Sequence, residues 1–384
     1  MTGNAYIIDT TLRDGEQAPG VAFSITDKLA VASFLHDMGV DEVEAGTPAI
    51  GRDEQEAIRL IASYGFAFST SCWCRANAND ISEAATLGTD SINISLPASD
   101  IQISALNKNR AWILRQMKEA IKQAADSFSH VTMGAQDASR ADMDFLKEFI
   151  FYATEEGANR IRISDTVGIF DPFETHALFK ELLKHFPGVE FEFHGHNDLG
   201  MATANAIGAL NGGAQCISAT VNGLGERAGN SALEEVVAIL QEKYGITRFN
   251  TGVIHNLSHL VSRLSNRPLP SDKPLLGEKV YTHESGIHTS ALLKDSKTYQ
   301  FLSPEKYGAG RMQFSFGKHS GSGAVKDYFA RLGIYPEPNQ INTLLQFIKK
   351  HAVDQRRNVY EGELLQFWLN EVPVNPSHDK VRYH

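Results

Sequence analysis

The segment Phe193-His194-Gly195-His196-Asn197-Asp198 places two histidines one residue apart. In an extended strand alternate side chains share a face, so His194 and His196 can present two imidazoles to one divalent metal. Two imidazoles do not complete a site, and oxygen donors must come from elsewhere in the chain. Asp9-Thr10-Thr11-Leu12-Arg13-Asp14-Gly15-Glu16-Gln17 can supply them. Asp14 can give an oxygen to the same ion, while Arg13 can grip a substrate carboxylate with its planar fork. Ser164-Asp165-Thr166-Val167-Gly168 brings a hydroxyl, and Thr166 either binds a carboxylate or caps the segment that follows. The run Asn222-Gly223-Leu224-Gly225-Glu226-Arg227-Ala228-Gly229-Asn230 has glycines that let a ligand approach the backbone closely, in a spacing that is neither a Walker nor a dinucleotide fingerprint. Two histidines and an oxygen donor leave coordination positions open, as a carbonyl-polarising site requires. Zinc, manganese, magnesium and iron all suit such mixed ligands.

These residues need a scaffold that gathers them. Short β-prone runs at Tyr6–Asp9, Glu42–Ala45, Ala67–Ser71, Ser91–Ser95, Val131–Ala135, Arg160–Ser164, Glu190–His194 and Gln215–Thr220 alternate with helix-period stretches such as Thr26–Met38, Arg110–Ser127, Ala141–Glu156, Asp171–Phe186, Ala202–Leu210 and Ser231–Glu242. Ala78–Leu87 is the weakest crossover. Eight strand-then-helix units in about 245 residues match an α/β chain folded as a (β/α)8 TIM barrel, whose reactive groups sit at the carboxyl ends of the strands. Ser24-Ile25-Thr26-Asp27 supplies helix-capping side chains and Gly39 a terminator. The rhythm then breaks. Residues 265–277, with three prolines, read as an ordered connector. Beyond them a smaller, mostly helical region is expected, with helices in Asn339–Leu369 and a loosely held end over 371–384.

Composition narrows the function classes. A chain of 384 residues with formal charge −10 does not favour a general nucleic-acid surface, and no basic cluster offsets that charge. No apolar run reaches the roughly 20 residues needed to cross a bilayer, and the start lacks a signal-peptide pattern, so a cytoplasmic protein off the membrane is expected. Cys72, Cys74 and Cys216 are too few for a disulfide framework, and Cys72-Trp73-Cys74 reads as small buried residues near a strand end.

Five segments taken together resemble, in order, the motifs of the metal-dependent Claisen-condensing branch of the barrel metallolyases, which includes isopropylmalate, citramalate and homocitrate synthases. They are Asp9 to Gln17, His194 to Asp198, Gly225-Glu226-Arg227-Ala228-Gly229-Asn230, Thr282-His283-Glu284-Ser285-Gly286-Ile287-His288 and Gly317-Lys318-His319-Ser320-Gly321. Within that branch, Gly46-Thr47-Pro48-Ala49, Trp73-Cys74-Arg75 and Asp137 to Asp142 are most similar to the homocitrate synthases of nitrogen fixation. The resemblance implies an acyltransferase that turns the acyl group of acetyl-CoA into an alkyl group on transfer to 2-oxoglutarate, giving homocitrate and CoA. It implies a divalent cation (Mg, Mn or Zn) on Asp14, His194 and His196, with Asn230 a possible further ligand. Arg13 and Gln17 would hold the 2-oxo acid, Thr166 its distal carboxylate, and His288 and Tyr299 would move protons on acetyl-CoA, with His283 the rival of His288. It also implies a homodimer with shared active sites, divided into a catalytic barrel (1–255), a linker and subdomain covering the active site of the partner subunit (256–325) and a helical C-terminal subdomain (326–384). The Gly317–Gly321 segment would lie near CoA or support the dimer.

Two departures stand out. Where the family has a glutamate as catalytic partner, this chain has Gln136, an amide that can orient a group but cannot accept a proton as a base. Asp137 is the neighbour that could compensate. Thr132 stands where lysine-pathway homocitrate synthases carry an arginine. Alternatives are therefore an isopropylmalate or citramalate synthase using another 2-oxo acid, or a weakened metal- and 2-oxo-acid-binding paralogue. An aldol-type lyase is disfavoured, because the Gly223–Asn230 loop lacks the cysteine those lyases use there.

Overall fold

The computed structural model describes residues 5–372. Eight parallel strands, β1 (Tyr6–Asp9), β2 (Glu42–Glu44), β3 (Ser69–Arg75), β4 (Ser91–Pro97), β5 (His130–Gln136), β6 (Arg160–Asp165), β7 (Glu190–Gly195) and β8 (Cys216–Ala219), close in sequential order into a barrel. β1 pairs with both β2 and β8, which closes the ring. The TIM barrel expected from the alternation is the fold. β3 runs later than expected, because Cys72, Trp73 and Cys74 belong to the strand itself, with both cysteines buried.

Local chemistry accounts for the helices between the strands. Ser24 accepts from the Asp27 N–H while Asp27 returns a bond to the Ser24 N–H, so the helix Ile25–Met38 starts on a capping box, and it ends at Gly39 with φ of 83°. The helix Pro172–His185 opens the same way on Asp171 and Glu174, with proline in its first turn. The weak crossover forms a helix, Ala78–Ala84, capped by Asn77.

The two faces of the strands differ sharply. Phe191 and Phe193 of β7 point outward and meet Phe179 edge-on, with ring centroids 6.3 and 6.0 Å away. The inward face is charged instead of aliphatic. Arg160 pairs with Glu42 at 2.9 Å and Glu190 at 2.6 Å and lies over the Tyr6 ring. One layer higher, Glu44 accepts from Arg162 at 2.8 Å, from Asn93 at 2.8 Å and from Arg13, while Arg162 also reaches Glu192 at 2.6 Å. These buried charges, Arg160, Glu42, Arg162, Glu44 and Glu192, each have a partner, without which burial would cost several kcal/mol.

The chain forms two compact units that part between Leu269 and Pro270. In the second, two short parallel strands, β9 (Thr282–His283) and β10 (Gln313–Phe314), accompany the helices Gly286–Leu292, Ser322–Arg331, Pro338–Gln355 and Glu361–Glu371. Phe329, Leu344, Ile348, Leu364 and Trp368 form the core of the last three. The Asn339–Leu369 segment is thus helical, while residues 373–384, nearly all of the end expected to be loosely held, lie outside the described residues.

Candidate active site

The donors converge at the carboxyl end of the barrel. After β1 the chain turns tightly, with the N–H groups of Asp14 and Gly15 both bonded to the Thr10 carbonyl, and this turn carries Arg13 and Asp14 inward. On β7 the two-residue period puts His194 and His196 on the inner face. Their Nε2 atoms lie 3.6 and 3.9 Å from Asp14 Oδ2. One ligand atom from each of the three residues lies within 4.8 Å of the others.

Electrostatics prepare these groups for a cation. Burial pushes the His194 imidazole down to about 3 and holds His196 below its usual value, with the Asp14 carboxylate opposing both shifts. Both are then neutral at pH 7, the form that ligates a metal. Burial alone would raise the Asp14 carboxyl, but Arg13, His194, His196 and the Asn230 amide together hold it well below the carboxylate range. His196 Nδ1 is buried with no hydrogen-bond partner. A buried carboxylate facing two neutral imidazoles is a donor set that fits a divalent cation.

Asn230 sits beside this triad. Its Nδ2 donates to Asp14 Oδ2 at 2.7 Å and to the Leu224 carbonyl at 3.0 Å, which fixes the amide orientation and aims the nitrogen, not the oxygen, at Asp14. Asn230 thus holds Asp14 through its nitrogen, while its Oδ1 is buried with no hydrogen-bond partner.

The triad opens into a cleft enclosing about 170 Å³, lined also by Arg13, Gln17, Trp73, Ser95, Gln136, Arg162, Ser164, Thr166, Glu226 and Arg227. Among the described residues that line it, none is aliphatic. Arg13 is held by Asp14 at 2.8 Å and by Glu44. Burial opposes ionisation of Glu44, yet Arg13 and Arg162 hold its carboxyl down at about 2. Thr166 Oγ1 accepts from the Asp137 N–H at 2.8 Å. Arg227 donates to the Thr166 carbonyl at 2.7 Å and to Asp198 at 2.9 Å, tying the loops after β6, β7 and β8 together. Gly168, at φ of 64°, is needed there, since a Cβ would lie 2.7 to 2.9 Å from Asp198 and the His196 carbonyl.

Gln136 ends β5 and lines the cleft. Asp137, the neighbour that could compensate for it, is engaged elsewhere. Its carboxylate is fully buried, bonded to Ser99 and paired with Arg140 at 2.7 Å, and it is not among the cleft residues. His288 and Tyr299 lie in the second unit, their rings stacked at 4.0 Å and 26°. His283 is the last residue of β9. The Thr282–His288 and Gly317–Gly321 segments pack through Gly286 and Gly321, where a Cβ on either would come within 2.7 Å of the other.

Arg162, Glu44 and Ser95 are cleft or near-cleft residues that the motif reading passed over, and Trp73, which it named without a role, lines the cleft as well. The signal was available, because Glu42-Val43-Glu44, Arg160-Ile161-Arg162-Ile163 and Glu190-Phe191-Glu192-Phe193 all alternate charge with apolar residues.

Comparison with known proteins agrees with this fold. Residues 4–261 match the HMGL-like family, and residues 275–356 match the homocitrate synthase post-HMGL domain-like family. Among curated relatives, the 2-isopropylmalate synthase 2 of Caldanaerobacter subterraneus is 42% identical over 94% of both chains. The homocitrate synthase 1 of Nostoc is 40% identical over 94% of this chain and 95% of its own, and the (R)-citramalate synthase of Methanocaldococcus jannaschii is 37% identical over 98% and 76%. Among solved structures, the HMG-CoA lyase of Bacillus subtilis shares the fold with a TM-score of 0.62 at 20% identity, over 70% of this chain and 96% of that one. The chain belongs to the HMGL-like family, in the branch of the isopropylmalate, homocitrate and citramalate synthases.

Proposed function

We propose that the protein is a metal-dependent acyltransferase that joins the methyl carbon of acetyl-CoA to the oxo carbon of 2-oxoglutarate, after which water cleaves the CoA thioester to give homocitrate and CoA. The lining of the cleft carries this reading. It combines the Asp14–His194–His196 donor set with three arginines, several hydroxyls and no aliphatic side chain among the described residues. The branched apolar tail of 2-oxoisovalerate would leave those polar groups unpaired, at a cost that a second carboxylate avoids. The match of residues 275–356 and a homocitrate synthase relative at 40% identity are compatible with this choice, beside an isopropylmalate synthase relative at 42%.

A divalent cation bound by Asp14, His194 and His196 would act as a Lewis acid on the 2-oxo group, worth several kcal/mol of charge stabilisation. Arg13 grips the acid beside it, with Gln17 as second donor. Thr166, whose oxygen already accepts from Asp137, has its own proton left to give to a carboxylate. His288 and Tyr299 move the proton on the acetyl methyl group, supplied by the partner subunit of a cytoplasmic homodimer. Gln136 orients by hydrogen bonding and takes no proton. Among the described residues no helix is long and apolar enough to cross a membrane.

Thiol release from acetyl-CoA with a divalent metal and single 2-oxo acids tests this reading. The expected result is fastest release with 2-oxoglutarate, abolished by a chelator. Release with 2-oxoisovalerate or pyruvate but not 2-oxoglutarate would overturn the substrate in favour of an isopropylmalate or citramalate synthase.

A further inference from the structure

We propose that Arg162 selects the substrate, receiving on its guanidinium the second carboxylate of a dicarboxylic 2-oxo acid. The assignment rests on the synthase reading above and names the residue that gives it specificity.

Three arginines line the cleft, and only one is placed at its floor. Arg13 stands beside the donor triad, its Nη1 2.8 Å from Asp14. Arg227 is at the rim, 42% of its side chain exposed and engaged by Asp198 and the Thr166 carbonyl. Arg162 is 2% exposed. Strand register fixes its depth: Ser164 is level with His194, and Arg162 is level with Glu192, one inward layer below. Two residues along a strand advance about 7 Å. In an extended 2-oxoglutarate, three C–C bonds separate the oxo carbon from the distal carboxyl carbon by roughly 4 Å. A charge-assisted hydrogen bond adds about 3 Å, so an acid anchored beside the triad and Arg13 reaches the next layer down.

The guanidinium is aimed and has capacity left. Nη2 donates to Glu44 at 2.8 Å and Nε lies 2.6 Å from Glu192, which pins the plane, while Nη1 makes no hydrogen bond among the described residues. Glu44 is shared with Arg13, so one carboxylate sets the spacing between the two arginines.

Hydroxyls that line the cleft can add to the guanidinium in holding an anion against the two carboxylates, Glu44 and Glu192, that flank it. Gly134, the register partner of Arg162 on β5, leaves the wall open, and a Cβ there would lie 2.4 Å from Ser95 Oγ. Ser95 Oγ accepts from Trp73 Nε1 at 3.0 Å and Thr166 Oγ1 from the Asp137 N–H. A hydroxyl whose oxygen is already engaged as an acceptor still has its proton to donate. The inward residues of β5, Thr132, Gly134 and Gln136, are uncharged, so no other cation from that wall competes for the role.

The test compares kcat/KM for 2-oxoglutarate with that for 2-oxopentanoate, which has the same chain length without the second carboxylate. Wild type is expected to favour 2-oxoglutarate by at least on the order of a hundredfold, since the analogue leaves Nη1 of the buried Arg162 without an acceptor. Arg162→Lys, which retains the charge but loses the fork, is expected to reduce that ratio at least tenfold, mostly through the KM of the dicarboxylic acid. The double variant Arg162→Gln/Glu192→Gln removes one charge of each sign and gives the same readout if the lysine variant does not fold. A folded variant with an unchanged ratio would overturn the role of Arg162 while leaving the synthase reading intact, whereas wild type preferring 2-oxopentanoate would overturn both the role of Arg162 and 2-oxoglutarate as the substrate. Absence of thiol release with every 2-oxo acid would overturn the synthase reading as well.

Discussion

At the scale of single residues, the barrel lumen is a charge lattice in which Glu44 is the shared node. The Glu44 carboxyl is depressed to about 2 from an ordinary 4.5, so it contributes stability that is present above about pH 4.5 and is lost as pH falls toward 2. The contribution is on the order of 3 kcal/mol. Glu44→Gln is expected to lower stability at pH 7 by about 3–5 kcal/mol, leaving two buried guanidiniums short of a counter-charge. Denaturant unfolding between pH 6 and 3 should show a shallower acid loss in the variant than in wild type; parallel curves would count against the lattice. Asp14 was legible in the sequence because it follows the carboxyl end of the first strand, and His194 and His196 because alternation in a strand gives the same face to residues two apart. Arg162 and Glu44 obey the same rule, yet charge alternating with aliphatic residues ordinarily marks a strand with one face in water. Here that polar face is the lumen of a closed barrel, which only the closure reveals.

At the scale of elements, the turn carrying Arg13, Asp14 and Gln17 is fastened from behind. Lys28, on the helix Ile25–Met38, is 1% exposed, and its Nζ meets Glu16 at 2.7 Å, Glu54 at 2.6 Å and the Leu12 carbonyl at 3.0 Å. Glu54 in turn accepts from the Thr47 N–H at 3.1 Å, joining the loops after β1 and β2. Lys28→Met is expected to cost about 3–5 kcal/mol, because it leaves two carboxylates without their cation. Chemical denaturation checks this, and a loss below about 1 kcal/mol would place the triad among ion pairs of little weight. The barrel itself was legible from its alternation, and the Ser24 capping box and Gly39 terminator from their residue types. The late start of β3 was not, since Ser69 to Arg75 mixes hydroxyls, cysteines and a tryptophan whose ring faces the cleft, a pattern with no simple period.

At the scale of the whole molecule, the donor triad and the polar cleft belong to the barrel unit, while His288 and Tyr299 belong to the second unit. If sites are shared in a homodimer, mixing Arg13→Ala with His288→Ala chains after subunit exchange is expected to restore up to about a quarter of wild-type thiol release, by formation of one intact site per heterodimer. No recovery would place both groups in one chain's site. The role proposed for His288 rests on its motif alone, because a lone histidine carries no sign of what it will face. The central claim is that Asp14, His194 and His196 hold the cation against which the 2-oxo acid binds. Calorimetric titration of 2-oxoglutarate into the protein, with and without a divalent metal and in His194→Ala, tests this most directly. The expected result is binding that requires the metal and is lost in the variant, whereas equal affinity in the metal-free wild-type protein would contradict it.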